Sequence, residues 1–202
     1  MNLKGKFIVL EGSDFAGKST LISELEKTLN RLEPNLKVYI TKEPTNGPYG
    51  QDFRRLLFEN KNFTTEEQIK LLLCDRKDHQ QRIHESILRD YLVITDRYYL
   101  SNLAYQDFNY EHLKILNSSL NGILQPDLVF LLEAHIDVIL ERMQGREKLD
   151  GFENKNKILQ VKAKYELILK DNWTYPIKKI DTSGELDKSL QTVVEYLESL
   201  FP

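Results

Sequence analysis

The stretch EGSDFAGKSTL, residues 11–21, decides how the rest of the chain is read. Gly12 and Gly17 stand five apart, and Lys18 and Ser19 follow directly, the spacing of a loop that cradles phosphate. The loop leaves a short apolar run, KFIVLE at 6–11, and opens a segment of helical period at 18–32. That strand–loop–helix context is what the motif requires. Glycine admits positive φ and close approach, so successive backbone N–H groups can wrap an anion. The helix start adds the positive end of its dipole. Lys18 then reaches the β- and γ-phosphates of a nucleoside triphosphate, and the Ser19 hydroxyl ligates Mg2+. Gly12, Ser13, Asp14, Phe15, Ala16, Gly17, Lys18, Ser19 and Thr20 form the candidate phosphate cradle. Phe15 is the odd member, bulky and uncharged.

Working outward, four more apolar runs rich in β-branched residues follow: KVYITK (37–42), YLVITD (91–96), DLVFLLE (127–133) and YPIKKID (175–181). The runs at 6–11, 91–96 and 127–133 are almost wholly apolar, as strands buried on both faces are. Between the runs lie helical patterns at 18–32, 50–60, 65–90, 98–120, 136–146, 154–171 and 186–200. Strands alternating with helices predict a three-layer α/β/α fold around a five-stranded parallel sheet. The 202 residues suffice for one sizeable core, so a single domain over 1–202 is expected. Charged residues at 29% and hydrophobic ones at 41% suit a soluble globular protein. A net charge of −3 gives no electrostatic ground for a nucleic-acid partner. Cys74 is alone and forms no internal disulfide, and no run approaches the roughly 18 apolar residues of a membrane helix. The expectation is a cytoplasmic protein without a membrane partner.

Two further segments carry polar residues beside apolar ones. YLVITDRYYLSNLAYQ (91–106) ends a buried strand on Asp96 and Arg97 and then starts a helix. Ligands of open α/β sheets sit beyond the carboxyl ends of the strands, so this pair arrives beside the phosphate loop. Asp96 can hold Mg2+, directly or through water, and Arg97 can clamp a phosphate. Tyr98, Asn102 and Tyr105 share one stripe of the helix that follows. In EEQIKLLLCDRKDHQQRI (66–83), Leu72 and Arg76 are four apart and stacked on one face, where they could sandwich a flat base.

Taken together, these segments resemble those of the thymidylate kinase family of P-loop nucleoside monophosphate kinases. The resemblance spans essentially the whole chain: EGSDFAGKST, TKEPTNGPYGQDFRRLL, LLLCDRKDH, DRYYLSNLAYQ and PDLVFLLEAHIDVILERMQGREKLDGFE. It implies a P-loop NTPase fold with a short lid at about 142–153, and transfer of the ATP γ-phosphate onto dTMP to give dTDP. It implies catalytic roles for Lys18, Asp14, Arg97 and a lid cation. Asp14 would face the acceptor's sugar and phosphate, and Arg54 and Arg97 would grip that phosphate. Arg76 would hydrogen-bond the base, with Leu72, Asn102 and Tyr105 lining its pocket and Glu43 and Pro44 forming the floor. The family is commonly homodimeric, through helices of the 65–120 region.

The chain also departs from the family's pattern. Phe15 stands where a small or basic residue is usual, so charge must come from the lid, where Arg142, Arg146 and Lys148 are available and Arg146 is the first choice. Leu72 stands where the family has Phe, giving apolar contact without a π face. Lys42 stands for an Arg and lacks its bidentate fork. These departures leave open a related kinase acting on another pyrimidine monophosphate or a deoxynucleoside, and more remotely a nucleotide-binding regulatory module.

Overall fold

In the computed structural model, which describes residues 1–59, 63–107, 109, 122–144 and 154–202, the first apolar run forms β1 (Phe7–Gly12), buried along its entire length. Parallel partners lie on both sides: β3 (Leu92–Asp96) on one, β4 (Leu128–Glu133) on the other. β2 (Val38–Lys42) pairs with β3, and β5 (Ile177–Asp181) pairs with β4. The sheet order is therefore β2-β3-β1-β4-β5, and every pairing is parallel.

Strand pleating sorts the apolar side chains to two faces. Phe7, Val9, Val93, Val129 and Leu131 point into one core, shared with α3 (Thr65–Ile87), α4 (Tyr99–Tyr105) and α6 (Lys155–Ile168). Ile8, Leu10, Leu92, Ile94, Leu128, Phe130 and Leu132 point into the other. That core is closed by α1 (Lys18–Leu32) and α7 (Leu186–Leu200). These are the three layers expected from the sequence.

α1 and α7 fall on the bounds that periodicity predicted. α2 (Pro48–Glu59) starts two residues before the expected position 50, with Pro48 supplying a preset helical φ at its first residue. α3 starts at a capping box in which the Thr64 hydroxyl accepts from Glu67 N and the Glu67 carboxylate accepts from Thr64 N. Of the helix expected over 98–120, α4 is the described part, and residues 110–121 lie outside the described residues. α5 (Ile136–Gln144) and α6 flank the expected lid, of which residues 145–153, Arg146 and Lys148 included, also lie outside them.

β1 has β3 and β2 to one side and β4 and β5 to the other. The crevice beyond its carboxyl end is thus the switch point where such sheets bind ligands. Gly12 makes the turn there at φ 141°, and a Cβ at this position would lie 2.4 Å from the Leu132 carbonyl oxygen of β4. Only glycine fits so close to the neighbouring strand.

Candidate active site

The loop from Gly12 to Thr20 wraps the mouth of the crevice, with Gly17 (φ 88°) as the N-cap of α1. Gly12, Ser13 and Ala16 lie buried beneath it. Asp14, Phe15, Gly17, Lys18, Ser19 and Thr20 border a cavity of about 570 Å³. The Lys18 Nζ folds onto the loop itself, donating to the carbonyls of Gly12 (3.1 Å) and Ser13 (2.8 Å). Burial, with Arg97 nearby, pushes the Lys18 ammonium down to about 8. A phosphate entering the cavity would supply the missing counter-charge.

Beside Lys18, the Ser19 hydroxyl donates to Asp96 Oδ2 at 2.9 Å. Asp96 Oδ1 is buried and has no hydrogen-bond partner among the described residues. An unshared carboxylate oxygen next to a hydroxyl is an oxygen donor set for a hard divalent cation. The described residues contain no cluster of three or more metal-ligating side chains.

Arg97 is the hub of the site. At φ 69°, its backbone turns out of β3 while its N–H donates to the Leu10 carbonyl. Its Nη1 donates to the Gly12 carbonyl (3.0 Å) and Ser101 Oγ (3.2 Å). Its Nη2 donates to Asp14 Oδ1 and the Tyr105 hydroxyl, and the guanidinium lies 4.7 Å from the centre of the Tyr105 ring. Burial opposes the Arg97 charge, yet Tyr105 and Asp14 hold it on, well above the ordinary arginine value. Burial likewise opposes the Asp14 carboxylate, and Arg97 and Lys18 outweigh it, so Asp14 ionises below the usual range. The Tyr105 hydroxyl donates to Asp14 Oδ2 (2.8 Å) and accepts from Asp14 N (2.9 Å), locking the loop to α4.

A second cavity, about 200 Å³, adjoins the first. Asp14, Glu43 and Arg97 line both. Its apolar wall is Pro44, Phe53, Leu57 and Leu72; its polar wall includes Arg54, Ser101, Asn102, Tyr105 and Gln106. Leu72 packs with Phe53 and Phe63. Arg54 donates to the carbonyls of Pro44 and Thr45 at 2.7 Å each, which fixes the loop after β2 and holds the guanidinium at the cavity rim.

Arg76 is not on that wall. It is fully buried behind it, donating to Glu43 Oε2 and to Asn102 Oδ1 (2.8 Å), with its guanidinium 5.1 Å from the centre of the Tyr98 ring. The reason is electrostatic: an interior cation needs an interior anion, and Glu43 is the anion. Glu43 also receives His79 Nδ1 at 2.9 Å. Its burial favours protonation, but Arg76 prevails and holds it below the usual carboxylate range. The sequence leads one to expect Arg76 to hydrogen-bond a base; in this structure its guanidinium adjoins the cavity wall through Asn102 Oδ1. The i, i+4 spacing of Leu72 and Arg76 gives the shared face but not the depth.

Three participants escaped the sequence reading. Gln106, one residue past Tyr105 and four past Asn102, lines the smaller cavity; its spacing was the available signal. Ser101 lines it too and holds Arg97. Glu11 stands 0% exposed under α4 and looked in sequence like the end of a strand. Arg142 is the described lid-flanking cation: it donates to the Phe15 carbonyl (3.1 Å) and the Thr182 carbonyl (2.7 Å), against the phosphate loop.

Comparison with known proteins agrees with this geometry. The family model described as thymidylate kinase matches residues 10–192. The thymidylate kinase of Brachyspira hyodysenteriae is 38% identical over 162 residues, covering 79% of this chain and 78% of that protein. The thymidylate kinase of Desulfotalea psychrophila is 32% identical over 206 residues, 98% of this chain and 97% of its own. The structure of thymidylate kinase from Candida albicans superimposes with a TM-score of 0.79 at 26% identity, covering 97% of this chain and 92% of that one. By the family model's match and the identity with these relatives, this chain belongs to the thymidylate kinase family.

Proposed function

We propose that this chain moves the γ-phosphoryl group of ATP onto dTMP, giving dTDP, with the donor in the larger cavity and the acceptor in the smaller. The observation that carries this reading is the shared wall. Arg97, Asp14 and Glu43 border both cavities, so the donor's terminal phosphate and the acceptor's phosphate meet at one guanidinium. Phosphoryl transfer asks the protein mainly for alignment and for cover of developing charge. Lys18 and Arg97 supply that cover from below, and Arg54 from the acceptor side. Ser19 and Asp96 would hold Mg2+, which when bound neutralises the phosphate oxygens of the donor. Phe15 supplies no charge, so a lid cation completes the set. Arg146 remains the first choice, with Arg142 already seated against the loop.

Base choice follows from two orphaned groups. Asn102 Oδ1 is taken by Arg76, which leaves Asn102 Nδ2 buried with no partner among the described residues; Gln106 Oε1 is buried in the same condition. Both residues line the smaller cavity, and a small side-chain turn on ligand entry would offer a base one donor and one acceptor. A pyrimidine with a carbonyl beside a ring N–H matches that pair, as thymine does; cytosine, with an amino group beside a bare ring nitrogen, has the opposite polarity. A site with unpaired polar groups rejects a ligand that leaves them unpaired. Arg54 and Arg97 favour an acceptor that already carries phosphate over a free deoxynucleoside.

The chain's setting is proposed as cytoplasmic on the strength of its lone cysteine, and its assembly as a homodimer on family resemblance. No described helix is long and apolar enough to cross a membrane. Coupled ADP release with Mg·ATP against dTMP, dUMP, dCMP and thymidine tests the function. We expect dTMP to be turned over best and dCMP at least about tenfold worse, the loss that one mismatched hydrogen-bond pair produces. Thymidine or dCMP matching dTMP in kcat/KM would sink the assignment.

A further inference from the structure

Arg97 has partners of two kinds. Gly12 and Asp14 belong to the phosphate loop, and Gly12 O is shared with Lys18. Ser101 Oγ and the Tyr105 hydroxyl belong to α4. Ser101 can accept from Arg97 only if its own proton is aimed elsewhere, and it is: Ser101 Oγ donates to Glu11 Oε2 at 2.6 Å. That carboxylate oxygen also accepts from the Tyr165 hydroxyl at 2.8 Å, while Oε1 accepts the backbone N–H groups of Tyr98 (2.9 Å) and Ser101 (3.1 Å). Four donors thus converge on one fully buried carboxylate, and the Tyr165 and Ser101 hydroxyls sit 3.2 Å apart.

Tyr165 comes from α6, 154 residues along the chain from Glu11, and neither residue lines either cavity. From this geometry we infer that Tyr165 is a positioning residue for the acceptor: acting through Glu11 and Ser101, it holds the Arg97 guanidinium in the pose that grips the acceptor phosphate. Without the Tyr165 hydroxyl, Glu11 Oε2 loses one of its two side-chain donors. The Ser101 hydroxyl then becomes the sole donor and can shift toward the carboxylate, and its lone pair turns from Arg97. Among the described residues, no hydrogen bond joins the side chains of Lys18, Ser19 or Asp96 directly to those of Glu11, Ser101 or Tyr165.

The inference rests on the phosphotransfer reading, and the test separates the two. Wild-type enzyme is first assayed on a panel of nucleoside monophosphates, and the variants are then compared on its best acceptor. Tyr165→Phe keeps the ring and removes only the hydroxyl. It should raise the KM for the acceptor by roughly five- to tenfold, lower kcat by less, and leave the KM for ATP within about twofold. Ser101→Ala should shift the same constants. The double variant should be no worse than Ser101→Ala alone, because Tyr165 acts through Ser101. Ser101→Thr keeps a hydroxyl and should stay nearest to wild type. A thermal midpoint that falls while both KM values hold, equal shifts in both KM values, or additive losses would overturn the inference. A best acceptor other than dTMP would refute the substrate assignment but leave this comparison valid. A wild type idle on every monophosphate overturns both.

Discussion

At the scale of single residues, the most consequential contact is the Gly12 carbonyl, which accepts from both Lys18 Nζ (3.1 Å) and Arg97 Nη1 (3.0 Å). One neutral oxygen holds the donor-side cation and the acceptor-side cation together, and the two repel. That repulsion, after burial, is what depresses Lys18 to about 8, against an ordinary 10.5. The stability consequence has a definite sign. Below pH 8 the folded protein carries the cost of this buried cation; between 8 and 10.5 it gives up the proton before the unfolded chain does, so stability rises with pH. Lys18→Met should therefore abolish turnover yet raise the thermal midpoint of the ligand-free protein by a few degrees at pH 7. The gap to wild type should narrow as pH approaches 10. A midpoint that drops at pH 7 would show that the two carbonyl contacts outweigh the charge.

The loop lysine, serine and Asp96–Arg97 pair were legible in the sequence because motif spacing and strand ends place them by chain geometry alone. The Asn102–Gln106 pair was only half legible. Spacing shows that both face one way, but it takes Arg76 filling Asn102 Oδ1 to show which atom of the amide is left over. Replacing Gln106 with Ala should lower the dTMP-to-dCMP ratio of kcat/KM by about tenfold. An unchanged ratio would remove Gln106 from base choice.

At the scale of elements, two tethers stand out. The first is α3 to the loop after β2: Arg76 and His79 grip Glu43, and Asp75 accepts from Thr45 N (2.7 Å) and Thr45 Oγ1 (2.5 Å). Arg76→Ala strands a buried carboxylate and should cost about 3–5 kcal/mol, measured by denaturant unfolding. Wild-type stability in that variant would mean that Glu43 simply takes up a proton. The second tether is Phe15. Its backbone sits at φ 63°, a conformation that costs a non-glycine residue about 1–2 kcal/mol. It is kept there by packing against the cluster of Ala134, Ile139 and Ile158, with Ile136, Val138 and Met143 around it. The phosphate loop is thereby fastened to α5 and α6. Phe15→Gly relaxes the backbone and unfastens the helices, so amide exchange should quicken in Ile136–Gln144 and the first turns of Lys155–Ile168. Unaltered exchange there would assign the ring no anchoring role. Sequence inspection marked Phe15 as a missing charge, with packing on the acceptor's ribose or the lid as its other use; the cluster it joins was out of reach because its residues lie more than a hundred positions away.

At the scale of the molecule, the parallel sheet was legible to within two residues at each strand end, and α1 and α7 to the residue. Strands buried on both faces leave nearly unbroken apolar runs, and the Gly and Pro punctuation falls between them. What stayed illegible is the interior polar network. Glu11 reads as a strand end in sequence, and nothing in local spacing announces that Tyr165 will meet it. Such contacts are set by how helices seat on the sheet, a property of the packed whole.

The sheet's two faces have a consequence for heredity. The helix that starts at the ATP loop, α1, is rooted in one core, through Leu21, Ile22, Leu25 and Leu29. The helices that frame the acceptor, α3 and α4, are rooted in the other, through Ile69, Ile83, Leu100 and Leu103. Alternate residues of the same strand serve opposite cores, so neighbouring codons specify different cores. In a selection for second-site suppressors, a weakened ATP loop should be rescued at Ile8, Leu10 or Val193, and a weakened acceptor site at Phe7, Val9 or Val161. Each class would be blind to the other's defect, two lineages of repair interleaved along one gene.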